Sequence, residues 1–273
     1  MSALMRSLAG AGSILATAVM ALLWLWHMRL RNAGIVDAGW AFLVGGLAVL
    51  YAVLGDGWTP RRAAIAFMMG SWGARLTVYL LYDRVFGRPE HGRYAELRRR
   101  HGEGANAWFF WFFEAQAVAA MFFSLPALVA VVNPREGFSP FEIAAAGVWI
   151  VAFTGEVTAD RQLERFKAEP ANWGRTCLAG LWRYSRHPNY FFESVMWMAY
   201  ATFASGSAWG WIAWVCPAAM VVLLVKVTGI PATEAQAIQT RGDEYREYQR
   251  TTSMFVPWFP KRRETTETAE NAK

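Results

Sequence analysis

Gly34-Ile35-Val36-Asp37-Ala38-Gly39-Trp40-Ala41-Phe42-Leu43-Val44-Gly45-Gly46-Leu47-Ala48-Val49-Leu50-Tyr51-Ala52-Val53-Leu54 carries a single charged residue, Asp37, near its start. An apolar run of roughly 20 residues is long enough to cross the ~30 Å hydrocarbon core of a bilayer as a helix. Inside hydrocarbon each backbone N–H and C=O must be satisfied within the segment, which selects helix over an open strand. Similar runs lie outward at Ala11–Met28, Arg62–Tyr82, Trp108–Val132, Pro140–Val157, Tyr190–Ser205 and Trp209–Thr228. The reading is an all-α, polytopic transmembrane bundle of seven helices. Tyr190–Ser205 is short and carries Glu193, so the alternative is six spanning helices with this one re-entrant. The apolar stretch after Arg6 is too long for a signal-peptide core and is read as the first spanning helix.

Composition points the same way. Of 273 residues, 55% are apolar and 18% charged, below the quarter typical of soluble domains. Most of the 15 Trp sit near the ends of apolar runs, where an amphipathic ring suits the headgroup layer. The net charge of +6 is concentrated in a few connections, so anionic lipid and topology account for it and nucleic acid is not an expected partner. Cys177 lies in a polar connection and Cys216 in an apolar run, which argues against a disulfide. No CxxC, Cys/His cluster or HExxH spacing occurs, so no metal is expected.

The loops set an orientation. Connection 83–107 holds Arg84, Arg88, Arg93, Arg98, Arg99 and Arg100, and connection 158–189 holds Arg161, Arg165, Lys167, Arg175, Arg183 and Arg186. The segment after the last helix adds Arg241, Arg246, Arg250, Lys261, Arg262 and Arg263. With seven helices these three regions share a side, which the positive-inside rule makes cytoplasmic. The N-terminus is then outside and the C-terminus cytoplasmic. Residues 242–249 read as a short amphipathic helix at the membrane surface.

Charges inside membrane segments are costly and mark functional sites or helix-pairing sites. Asp37, Arg75, Glu114, Glu156, Asp160 and Glu193 are of this kind; pairing of Asp37 with Arg75, or of Glu193 with a loop Arg, is the structural alternative to a polar cavity. Glu156, Asp160, Leu163 and Lys167 recur at helical spacing, offering acceptors for ribose hydroxyls or an amide and then a cation for a phosphate. In Gly180-Leu181-Trp182-Arg183-Tyr184-Ser185-Arg186-His187-Pro188-Asn189-Tyr190, Pro188 biases His187 toward an extended conformation. Asn189 is a candidate cap for the following helix. Two guanidinium groups, an imidazole and free backbone N–H groups would meet there as an anion site. Glu234, just past the last helix, can face the same mouth.

These residues, with Gly242-Asp243, Tyr245, Tyr248, Thr252 and Phe255-Val256-Pro257-Trp258, resemble the steroid 5α-reductase superfamily, and within it the bacterial branch carried as a domain of unknown function. The match covers roughly residues 140–261 and extends more loosely to Ile35–Trp40 and Arg75-Leu76. The resemblance implies a single transmembrane reductase-like domain over 1–262, its cofactor half at about 140–262, with 263–273 a disordered polar tail. It implies a multi-pass protein of the bacterial inner membrane with NADPH in a cytoplasm-facing cavity. Carried over, the cofactor residues are Glu156, Asp160, Lys167, Arg183, Arg186, His187, Asn189, Glu193, Glu234 and Tyr245. This chain departs from the steroid enzymes at Glu156 and Lys167 (Asn and Arg there), at Glu234 (His) and at Trp72 (Tyr).

The reaction implied is hydride transfer to a conjugated C=C bond of an apolar lipid, sterol-like or isoprenoid substrate entering from the bilayer. Asp37, held as the neutral acid by burial, would stabilise the developing enolate, with Tyr79 or Tyr190 sharing that role. Membrane methyltransferases that use S-adenosylmethionine share an Arg-His-Pro-x-Tyr stretch and a Glu near the last helix, and are the alternative. A non-catalytic lipid-binding relative is the third reading.

Overall fold

The computed structural model describes residues 3–90 and 92–261. The expected disordered tail at 263–273 lies outside the described residues. Eleven α-helices are described: α1 (Ala3–Leu30), α2 (Ile35–Leu54), α3 (Thr59–Arg84), α4 (Gly92–His101), α5 (Ala105–Phe123), α6 (Leu125–Ala130), α7 (Pro140–Ala168), α8 (Pro188–Ala204), α9 (Val215–Val222), α10 (Ile230–Arg241) and α11 (Asp243–Thr251). No strand occurs among the described residues. Six helical stretches are long and apolar enough to cross a membrane: Ala3–Leu30, Ile35–Leu54, Thr59–Arg84, Gly92–Ala130, Pro140–Ala168 and Gly210–Arg241. Apolar side chains face outward on these stretches, with Ile14 74%, Trp111 71% and Val118 70% exposed, while Arg61 is wholly buried. That inversion is the pattern of a protein whose solvent is lipid. The chain is an integral membrane protein.

The seventh expected segment, Tyr190–Ser205, is the 17-residue α8, which at about 1.5 Å per residue measures about 25 Å and is not among the six. Connection 83–107, expected to be loop, contains α4, a polar helix that hydropathy does not reveal. The last long stretch is not one smooth helix. It begins as a 3₁₀ segment at Gly210–Trp214, passes through a π-turn at Leu223–Val227, and restarts at α10 with Pro231 in its first turn. Pro217 and Pro231 lack the N–H that a continuous ladder needs, which accounts for breaks on either side of α9.

The chain forms two compact units, residues 1–146 with 200–216 and residues 147–199 with 217–273. In the first, α2 lies along α3, and α1 packs against α5. The closest approach is between small residues: a Cβ on Gly73 would stand 2.8 Å from the Ala41 carbonyl oxygen and 2.9 Å from Gly45 Cα. Trp40 closes the core edge-on to Trp72 and Phe123, at 5.8 and 5.6 Å between ring centroids. One end of this unit is clasped by Arg61, whose guanidinium pairs with the buried Glu142 and donates to the carbonyls of Asn133 (3.0 Å), Arg135 and Gly137. Asn133 reaches across to the Gly206 carbonyl at 3.1 Å and the Ser207 hydroxyl at 3.2 Å. Gly57 and Trp58 donate backbone N–H bonds to Val131 and Asn133. Connections 55–58, 131–139 and 205–207 are thereby tied together.

The second unit gathers the last turns of α7, the connection 169–187, the start of α8, and α10–α11. Gly180 takes a left-handed φ of +58°, and a Cβ there would collide with the Gln162 side chain. Gln162 Oε1 accepts the Leu181 N–H at 2.8 Å, and Trp182 Nε1 donates to the Ala159 carbonyl at 2.9 Å. The turn before α8 is thus fixed to α7. The amphipathic helix expected at 242–249 is α11, with Tyr245 and Tyr248 turned inward.

Candidate functional site

Pro188 occupies the first position of α8, where its missing N–H costs nothing. His187 sits just ahead of the helix, with its N–H donated to Ser185 Oγ at 3.1 Å. Asn189 lies inside the first turn rather than at the cap. Its carbonyl oxygen accepts from the Tyr190 N–H at 3.0 Å and its amide donates to Asp160 Oδ1 at 3.2 Å. Asp160 and Glu156 are one turn apart on α7 and 7% and 4% exposed, and the half-buried Asn189 joins them through Asp160.

A second group centres on Arg186, 8% exposed. Its Nε donates to Glu234 Oε1 at 2.7 Å, and its Nη1 to the carbonyls of Gln249 (2.9 Å) and Thr252 (2.8 Å). Glu234 also lies 3.1 Å from His187 Nε2 and accepts the Gln249 amide at 2.6 Å. A carboxylate only accepts, so the imidazole presents an Nε2–H to it. The His187 ring stacks on Tyr190 at 5.4 Å with 5° between planes, and the Tyr190 hydroxyl is 3.4 Å from Thr233 Oγ1. Tyr248 donates to the Trp182 carbonyl, and burial pushes its phenol up, so it remains a donor. Ser185 Oγ donates to the Phe255 carbonyl and the Trp258 N–H to the Tyr184 carbonyl, strapping 252–258 over the turn.

Glu193 accepts from Trp197 Nε1 at 2.7 Å within α8. Arg183 is exposed and has no carboxylate partner among the described residues. Tyr245, buried edge-on to Tyr248 at 5.7 Å, hydrogen-bonds Glu234 and so joins the Arg186 group; burial first, and then the Glu234 carboxylate, pushes its phenol up. Lys167 lines a separate small pocket. Tyr79 packs with Trp40 and Leu76 around Ala38, Ala41 and Leu80 in the first unit.

Asp37, also in the first unit, has partners that helical spacing did not point to. Its carboxylate accepts from Arg84 (2.5 Å), from Arg93 (3.4 Å) and from the Tyr94 hydroxyl (2.7 Å). Three donors on one carboxyl make Asp37 an anchor for the α3–α4 connection. Beside it, Glu90 binds Arg98 (2.8 Å) and the Ala33 N–H (2.8 Å). Burial alone would raise the Glu90 carboxyl, but these donors outweigh it and hold the group below the usual carboxylate range. Sequence reading missed Tyr94 and Gln249. Tyr94 lay in an assumed loop, whereas Gln249, one residue past Tyr248 on an amphipathic helix, was within reach of a helical-face argument.

A family described as a protein of unknown function, DUF1295, matches residues 23–252, which includes the last turns of α1 and all of α2 to α11. The chain belongs to this family. DUF1295 belongs to the steroid 5α-reductase-like superfamily, in line with the resemblance of residues 140–261. This DUF1295 chain is also similar to an uncharacterised protein, C594.04c, of Schizosaccharomyces pombe, 24% identical over 260 residues that cover 86% of this chain and 75% of that protein. No solved structure matches.

Proposed function

We propose that this DUF1295 protein is a membrane oxidoreductase that uses NADPH to reduce a carbon–carbon double bond conjugated to a carbonyl in an apolar substrate taken from the bilayer. The observation that carries this reading is the pair of buried carboxylates Glu156 and Asp160 on α7, joined by the half-buried Asn189 of α8. Carboxylates one turn apart fit ribose hydroxyls and a carboxamide as hydrogen-bond acceptors. Arg183, exposed and without a carboxylate partner among the described residues, leaves a guanidinium for a phosphate. Arg186 commits its Nε and Nη1 to Glu234, Gln249 and Thr252, so its part is to hold the turn before α8 and the strap after α11 in register. When bound, NADPH supplies the hydride. Tyr190, stacked on His187, is the residue we assign to protonate the substrate as negative charge develops on the carbonyl oxygen. Asp37 is left as a positioning residue.

The proposed topology has seven crossings, with Arg186–Tyr190 facing the cytoplasm. It is supported by the ties among connections 55–58, 131–139 and 205–207. These place the end of α8 with the connection that precedes α7, so α7 and α8 would cross in opposite senses.

The test is thermal melting of the purified protein in detergent with NADPH, NADH and S-adenosylmethionine. A ligand that binds the folded state raises the melting temperature by mass action. NADPH is expected to do so. Stabilisation by S-adenosylmethionine alone would replace the reductase with a methyltransferase, and silence towards all three would favour a non-catalytic lipid-binding protein. With an apolar enone as substrate, Tyr190→Phe should lower kcat roughly 10²-fold while keeping the NADPH-induced shift.

A further inference from the structure

The connection 169–177 folds over the end of α7 and leaves a pocket of about 180 Å³ lined by Lys167, Arg175 and Arg241 together with Leu163, Phe166 and Trp173. No carboxylate lines it, and none of its three cations has an ion pair among the described residues. Glu244, on α11, accepts the Thr176 N–H at 2.8 Å and is not part of the lining. Three cations facing one concavity without an anion call for an anionic ligand. At about 180 Å³ the space is below the roughly 300–1,000 Å³ of pockets that enclose drug-sized ligands, so it fits a single phosphate group and its immediate neighbours rather than a dinucleotide.

Depth in the membrane identifies the source of that phosphate. The 29 residues of α7 measure about 43 Å at ~1.5 Å per residue, which matches a whole bilayer with its headgroups. Lys167, in the last turn, therefore stands at headgroup level, with Leu163 one turn deeper towards the hydrocarbon. Trp173, 78% exposed at the rim, is the side chain type that settles in this layer. Cations at the polar end and Leu163 and Phe166 at the apolar end match a phosphate attached to an acyl glycerol.

We propose that this pocket binds the phosphate of an anionic phospholipid from the cytoplasmic leaflet. It is a lipid site separate from the Glu156–Asp160–Asn189 group, and its occupant would pin the 169–177 connection to the membrane.

The experiment compares the full chain in nanodiscs of phosphatidylcholine and in nanodiscs of phosphatidylcholine and phosphatidylglycerol in equal parts. The readouts are the melting temperature and the lipid retained in native mass spectrometry. Phosphatidylglycerol should raise the melting temperature and remain as a bound adduct. Lys167→Gln and Arg175→Gln should each weaken retention about fivefold, the worth of one basic residue at an anionic surface, and should melt like the parent in phosphatidylcholine. Arg165→Gln removes the same charge from the same helix outside the pocket and should retain the lipid. Equal loss in Arg165→Gln would reduce the effect to a diffuse basic field and overturn the site. So would unchanged retention in Lys167→Gln and Arg175→Gln. Stabilisation in phosphatidylcholine by inorganic phosphate or NADPH, abolished by those same two variants, would show a soluble phosphate as the ligand and overturn the lipid assignment.

Discussion

Without its guanidinium, Arg186 would leave Glu234, 12% exposed, facing His187, Gln249 and Tyr245 with no fixed positive charge beside it. Breaking one side of a buried pair is worse than never having built it, because the remaining charge loses its compensation. Arg186→Met should therefore lower stability by about 3 kcal/mol. The double variant Arg186→Met/Glu234→Leu should recover part of that loss, the sign of direct coupling. Melting temperatures of the four proteins in detergent check this; purely additive losses would show that the pair is not coupled. The sequence marked Arg186 as a cation beside His187 and Pro188, and the structure keeps those neighbours. Its commitment to the carbonyls of Gln249 and Thr252, 63 and 66 positions away, was not legible, since a main-chain acceptor has no residue signature. Asp37 shows the same limit: a charge near the start of an apolar run is visible, but its engagement by Tyr94 depends on a connection whose fold hydropathy does not describe.

Between elements, the seam of α2 and α3 depends on the absence of side chains. With lipid as solvent, helices gain little from hiding apolar area and associate instead through close packing of small residues. A methyl at Gly73 meets main-chain atoms of α2, which cannot rotate away. Gly73→Ala should cost about 1–3 kcal/mol as the two helices are pushed apart. Gly46, on the same seam-forming helix but with nothing within 4 Å of a built Cβ, is the internal control. Gly46→Ala should be neutral or stabilising by up to about 1 kcal/mol through the entropy of a helical glycine. Equal melting temperatures for the two variants would remove close packing as the reason for Gly73. Apolar runs located α2 and α3 to within a few residues, because length and hydropathy are local quantities. The polar α4 escaped them: its helix is held by Arg98 on Glu90, Tyr94 on Asp37 and Arg100 on Glu96, contacts that include partners outside its own sequence.

For the whole molecule, the topology depends on α8, the one segment near the lower limit of length for a crossing. At about 25 Å it is shorter than the ~30 Å hydrocarbon core, and a short helix is accommodated by local thinning at modest cost. If α8 turned back instead of crossing, connection 205–207 would emerge on the side of connection 169–187, opposite the 131–139 connection. Asn133 would then have to leave the Gly206 carbonyl and the Ser207 hydroxyl. A crossing α8 keeps those bonds and puts the Arg-rich connections and the C-terminal segment on one face, as the positive-inside rule requires. Two reporter positions separate the cases in a Cys177→Ala/Cys216→Ala background. Asp243→Cys, at a side chain 93% exposed on α11, and Glu136→Cys, exposed in connection 131–139, should react with a membrane-impermeant maleimide from opposite sides. In sealed inside-out vesicles the residue at 243 should label and the residue at 136 should not, with the reverse in right-side-out vesicles. Labelling of both from one side would require an even number of crossings from connection 131–139 to α11. That result would remove α8 or the 210–241 stretch from the spanning set and place the Arg186–Tyr190 turn opposite the strap to which it is hydrogen-bonded.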